Sequence, residues 1–305
     1  MNSKSFVIAD VFTSERFGGN QLAVYTDARG LDAETMQDIA REMNFSETTF
    51  LLPPEQGGDY RVRIFTPNSE LPFAGHPMVG SAFVIVSEKM KEWSEPVTVL
   101  QLETGVGLIR VEVETKQGRA GHTTMTQPLP ITKGTYTDTA SLAAALSIEV
   151  SDIESTGLPV EPMYNGITTM IVPIATLAAV ERIKIDGGAI ERISLEAGVD
   201  TVLFFTLETL APSSTVHCRV SAAAAGILED AATGSANGPL GFYLVRHKLV
   251  PAERLTKIVS EQGYEMKRPS LLHIEVETDP ARPEVLGVRV GGGVVIAGCG
   301  EMFVS

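Results

Sequence analysis

HPMVGSAFVIVSEKM, residues 76–90, decides the fold. Pro77 suits the first turn of a helix, where its missing N–H costs nothing. Met78, Val79, Ala82, Phe83, Ile85 and Val86 then cover most of the circumference. A helix apolar nearly all round has no solvent face and is buried. At this length it predicts a barrel or half-barrel of strands around a central helix. Immediately upstream, PNSELPFAG (67–75) reads as a loop, and YRVRIFT (60–66) alternates as a strand. Further upstream, LDAETMQDIAREMN (31–44) places Met36, Ile39, Ala40 and Met43 on one helical stripe, with Asp32 as N-cap and Asn44 as a left-handed stop. FSETTFLLP (45–53) follows as a strand in which Glu47, Thr49 and Leu51 share one face. Glu47 is the one acid in that run, placed where a helix hands over to an inward-facing strand.

The second half echoes the first. YNGITTMIVPIATLAAVERI (164–183) is like FGGNQLAVYTDARGLDAETM (17–36): a Gly turn, an apolar strand, then a helix. VHCRVSA (216–222) is like YRVRIFT, and EQGYEMKRPSLLHIEVE (261–277) is like ETGVGLIRVEVE (103–114). GILEDAATGSANG (226–238) reads as a loop before the apolar run PLGFYLVRHKL. Two units of this size are two lobes of a duplicated α+β protein. The expected lobes are 1–127 and 128–305, joined near TQPLPITKG, with the last strand able to return to the first lobe.

With 305 residues, 44% hydrophobic and 20% charged, the chain has ample material for a core. Its net charge of −14 repels nucleic acid backbones and anionic lipid surfaces. No leader peptide or apolar run long enough for a membrane span is read, so a cytoplasmic location is expected. Cys218 and Cys299 form no CxxC pair or zinc pattern, and both are expected as small buried residues. GHPMVGS (75–81) lacks the P-loop lysine, GVGLIR (105–110) lacks a third fingerprint glycine, and TGSANG (233–238) is no nucleophile elbow. No cofactor and no metal are expected.

Two loops survive, ELPFAGHP and LEDAATGSANG, each leading into a buried helix. Unpaired N–H groups at such helix entrances favour anions, so a small carboxylate-bearing substrate is expected despite the acidic surface.

FGGNQLAVY, FSETTFLLP, RIFTPNSELPFAGHPMVGSAFV and LEDAATGSANGPLGFYLV, in this order and spacing, resemble the phenazine biosynthesis-like isomerase family. The resemblance runs from near residue 6 to the end. It implies the diaminopimelate epimerase-like fold, two similar lobes each with a barrel-like sheet around a central helix, an active site between them, and a homodimer. It places the acid/base on Glu47 and further catalytic positions on His76, Asp230 and Ser235. Substrate-binding positions fall on Asn20, Ser46, Gly75, Thr233 and Gly234. The chain departs from the family pattern at Gln21, at Ala231, in VSAAAAG (220–226) and at Pro239, which puts the substrate more in question than the reaction.

A carboxylate in an apolar surrounding has its pKa raised and can both take and return a proton near neutral pH. The reading is therefore a cofactor-independent isomerase that moves a proton between carbons. The alternatives are an amino-acid epimerase or racemase on the same fold, which works with two thiols, and a non-catalytic small-molecule binder.

Overall fold

The computed structural model describes residues 2–279, 281 and 284–304. Two compact units are present: Met1–Thr126 with Gly291–Ser305, and Gln127–Val290.

In the first unit, strand Asn2–Val11 pairs antiparallel with Asn20–Tyr25 on one edge and Val294–Val304 on the other. Asn20–Tyr25 runs parallel to Glu47–Leu52, and the helix Ala33–Met43 makes the crossover. Glu47–Leu52 pairs antiparallel with Tyr60–Phe65, which lies parallel to Val97–Thr104 across the helix Gly75–Ser87. The strands Gly107–Lys116 and Arg119–Gln127 extend the sheet.

The local chemistry of the first helix is as the sequence dictates. Asp32 accepts from the Thr35 N–H, and Asn44 closes the helix at φ 52°. Met36, Ile39 and Ala40 pack on Tyr25, Phe50 and Phe65, where Tyr25 stacks on Phe50 with centroids 5.0 Å apart. That is one face of strand Glu47–Leu52. The opposite face meets the helix Gly75–Ser87, in which every residue from Gly75 to Val86 is buried. Thr49 Oγ1 lies 3.0 Å from Ser81 Oγ on that helix. A Cβ at Gly80 would come within 2.5 Å of Leu22 Cδ2, so the glycine sets how closely helix and strands approach.

The second unit repeats the plan. Thr168–Pro173 runs parallel to Thr201–Thr206, which pairs antiparallel with Val216–Ala222. Val216–Ala222 then runs parallel to Leu255–Gln262 across the helix Gly234–Arg246. Both central helices have 13 residues. Phe50 faces Arg63 in the first unit as Phe204 faces Arg219 in the second. Arg63 grips Glu70 through two 2.7 Å bonds, and Arg219 grips Glu229 at 2.7 and 2.8 Å. Glu103 accepts N–H groups from Glu55, Gln56 and Gly58, while Glu261 accepts those of Leu210 and Ala211. The duplication therefore reaches individual side chains.

Two expectations change. The stretches read as loops before each central helix contain short strands, Glu70–Leu71 and Ile227–Asp230, each paired back onto the strand before it. Cys218 is buried as expected, but Cys299 is exposed, on the edge-pairing strand Val294–Val304.

Candidate active site

In the first unit the handover from helix to strand puts Glu47 at the first position of its strand, beside Leu22 on the parallel neighbour. Glu47 is 7% exposed. Burial pushes its carboxyl up to about 7, against a smaller opposing pull from the neighbouring Ser46 side chain. Oε2 is buried and accepts no hydrogen bond among the described residues. Its nearest titratable neighbour is His76, with Nε2 at 3.4 Å, long for a hydrogen bond.

His76 is the second residue of the central helix and is also buried. Its Nδ1 lies 3.3 Å from Asn20 Nδ2, and Asn20 Oδ1 accepts from the Ser46 hydroxyl at 2.9 Å. With the amide oxygen engaged by Ser46, the amide nitrogen faces the ring and Nδ1 is the acceptor. In the neutral ring the proton then resides on Nε2, directed at Glu47. Ser46, Asn20, His76 and Glu47 thus form one line. Ala74, the N-cap residue, offers no side-chain cap to the helix that Gly75 opens.

In the second unit, Asp230 ends the short strand and the helix starts at Gly234. Asp230, Thr233 and Ser235 are all buried. Asp230 Oδ2 accepts from the Thr233 hydroxyl at 2.6 Å. Here too the N-cap residue, Thr233, gives its helix no side-chain cap.

Pro239 lies inside this helix and has no N–H to give Ser235 four residues back. Asn165 Nδ2 donates to the Ser235 carbonyl instead, at 2.9 Å. Gln127 Nε2 donates to the Gly234 carbonyl at 2.8 Å, and its Oε1 accepts from Asn165. A Cβ on Gly238 would lie 1.9 Å from that Oε1. These amides escaped the sequence reading. Asn165 had a visible signal, a polar residue in the Gly turn that matches the turn before Asn20. Gln127 had none.

His217 is a structural residue by sequence, but its two carboxylate partners carry no sequence signal. The ring is fully buried, with Nδ1 3.0 Å from Glu261 and Nε2 2.9 Å from Glu265. Burial opposes the charged ring, but the bonds to Glu265 and Glu261 outweigh it and raise the pKa. Among the described residues, no group of three or more His, Cys, Asp or Glu side chains could hold a metal ion. No helix among them is long and apolar enough to cross a membrane.

The sequence profile of the phenazine biosynthesis-like (PhzC-PhzF) proteins matches residues 9–298. The chain belongs to the phenazine biosynthesis-like family. Among relatives, it is 36% identical to the trans-2,3-dihydro-3-hydroxyanthranilate isomerase of Pseudomonas aeruginosa, over 98% of this chain and 96% of that one. It superposes on a phenazine biosynthesis protein of the PhzF family from Bacillus anthracis with TM-score 0.88 and 28% identity, all of both chains being covered. A hydroxyproline epimerase from Agrobacterium vitis shares the fold alone, with TM-score 0.66 and 15% identity over 99% of this chain and 91% of that one. This member of the phenazine biosynthesis-like family is an isomerase with the α+β, diaminopimelate epimerase-like fold that the sequence implied.

Proposed function

We propose that the protein is a cofactor-independent isomerase that moves a proton between carbons of a small, cyclic, carboxylate-bearing metabolite, with Glu47 as the acid/base. The observation that carries this reading is the buried Glu47 carboxyl, pushed up to about 7, with one oxygen accepting no hydrogen bond among the described residues. A group titrating there takes a proton from carbon in one form and returns it in the other. His76, held through Nδ1 by Asn20 and Ser46, sets its Nε2 3.4 Å from the carboxylate, near enough to act on its charge without a hydrogen bond to it. In this reading Asp230 and Ser235 hold and polarise polar groups of the substrate, and the uncapped helix entrances at Gly75 and Gly234 favour its carboxylate.

The duplication supports one base acting twice. By register, the place of Glu47 in the second unit is taken by Thr201, three residues before Phe204 as Glu47 is before Phe50. Thr201 is bonded to Thr169 at 2.9 Å and does not titrate near neutrality. The two-thiol epimerase reading finds less support. Cys218 is buried on a strand with its thiol pushed up to about 12, and Cys299 lies on the strand Val294–Val304. Neither stands at a helix entrance.

The substrate to test first is trans-2,3-dihydro-3-hydroxyanthranilate, on which the Pseudomonas aeruginosa relative is named to act. Glu47→Gln keeps size and hydrogen-bonding reach but cannot accept the proton. Its kcat should fall roughly 10²–10⁴-fold with ligand-induced thermal shift retained. Undiminished turnover would remove Glu47 from the chemistry.

A further inference from the structure

We propose that Gln262 is the positioning residue that fixes the Asp230 carboxylate, acting through the Thr233 hydroxyl. Gln262 is fully buried at the end of strand Leu255–Gln262. Four of its hydrogen bonds go to the entrance of the helix Gly234–Arg246, and a longer contact of 3.9 Å comes to Oε1 from the Cys218 thiol. Nε2 donates to the Asp230 carbonyl at 2.8 Å and to Thr233 Oγ1 at 3.0 Å. Oε1 accepts from the Thr233 N–H at 3.0 Å and from Asn237 Nδ2 at 3.1 Å.

The direction of each bond is forced. A backbone N–H only donates and a backbone carbonyl only accepts, so the Gln262 amide has one permitted orientation. Its N–H therefore points at Thr233 Oγ1, which must accept there. A hydroxyl carries a single proton, and with that side taken the proton goes to Asp230 Oδ2, 2.6 Å away. An amide that cannot turn thus sets a hydroxyl, and the hydroxyl sets a carboxylate. Asn237 is held the same way, since its Nδ2 also donates to the Thr233 carbonyl at 3.0 Å.

The matching residue of the first unit is Thr104, which follows Glu103 as Gln262 follows Glu261. Among the described residues Thr104 bonds locally, to the Gly107 carbonyl and the Val106 N–H. The amide is therefore a feature of the second unit, where the helix entrance carries a carboxylate, and not of the shared framework.

The inference rests on the reading of Asp230 as a substrate-contacting group, so the tests separate the two. Gln262→Met keeps the volume and removes all four bonds. Its crystal structure should show the Asp230 carboxylate turned from its present orientation; an unmoved Asp230 overturns the proposal without any substrate. With trans-2,3-dihydro-3-hydroxyanthranilate as probe, Gln262→Met and Thr233→Val should each lose about 10-fold or more in kcat/KM, and Thr233→Ser should recover most of the Thr233→Val loss. In Asp230→Asn, adding Gln262→Met should cost little more, because both act through one group. Fully additive losses would overturn the proposal while leaving the role of Asp230 intact. An undiminished Asp230→Asn would instead remove that role and the proposal with it. If Gln262→Met does not fold, the same cycle is run with Thr233→Val.

Discussion

Glu47 is neutral at low pH and charged at high pH, and its burial penalises only the charged form. Its folded pKa of about 7 lies above the ordinary 4.5, so the folded state holds the proton longer than the unfolded chain does. The stability linked to that proton is complete below about 4.5 and is lost as pH rises through about 7. The gap corresponds to ~3 kcal/mol. Glu47→Gln should therefore match the native protein in thermal unfolding at pH 4.5 and exceed it at pH 8. Equal melting behaviour at both pH values would mean that the carboxylate is well solvated. In the native protein, kcat/KM should rise with pH through about 7 if catalysis begins with the ionised carboxylate. At this scale the sequence was legible where chemistry is local: an acid alone in an apolar strand marks Glu47. The amide of Gln262 was not legible, because its partners at the helix entrance lie 25 to 32 residues away and a glutamine carries no pattern of its own.

Each unit uses an arginine to lock one strand, Tyr60–Phe65 or Val216–Ala222, to the short strand that follows, but the two locks differ in depth. Arg219 is 6% exposed and also donates through Nη1 to the carbonyls of Val180 and Ile183, at the end of the helix Leu177–Glu181. Arg63 is more open and its Nη1 meets only the Met36 sulfur at 3.5 Å. A lysine cannot reproduce the planar fork. Arg219→Lys should cost about 2 kcal/mol or more in urea unfolding, and Arg63→Lys about 1 kcal/mol or less. Equal costs would mean that the carbonyl contacts carry nothing. The elements themselves were mostly legible. Capping residues bound the helix Ala33–Met43, and a circumference without a polar face made the helix Gly75–Ser87 a central one. Glu70–Leu71 and Ile227–Asp230 were not legible, because two to four residues are too few to show a period and their pairing partners define them.

At the scale of the whole molecule, a duplicated framework carries unlike chemistry in its two copies: Glu47 and His76 in one, Thr201 and Ser235 at the matching places in the other. The proposed acid–base reaction uses no metal ion, so dialysis against a chelator should leave turnover unchanged; loss that zinc or magnesium restores would overturn that reading. The closing of the first unit has a further consequence in time. Asn2 pairs with Val304, and among the described residues the edge of strand Asn2–Val11 away from Asn20–Tyr25 is covered by Val294–Val304. On a ribosome working at ~5–20 residues per second, that cover arrives roughly 15–60 s after the strand it protects. The contiguous unit Gln127–Val290 is complete before then. The half synthesised first is thus the half that matures last, and its nascent edge strand waits bare for a partner, a natural client for a chaperone. Pulsed hydrogen exchange during refolding should find Gln127–Val290 protected ahead of Asn2–Val11.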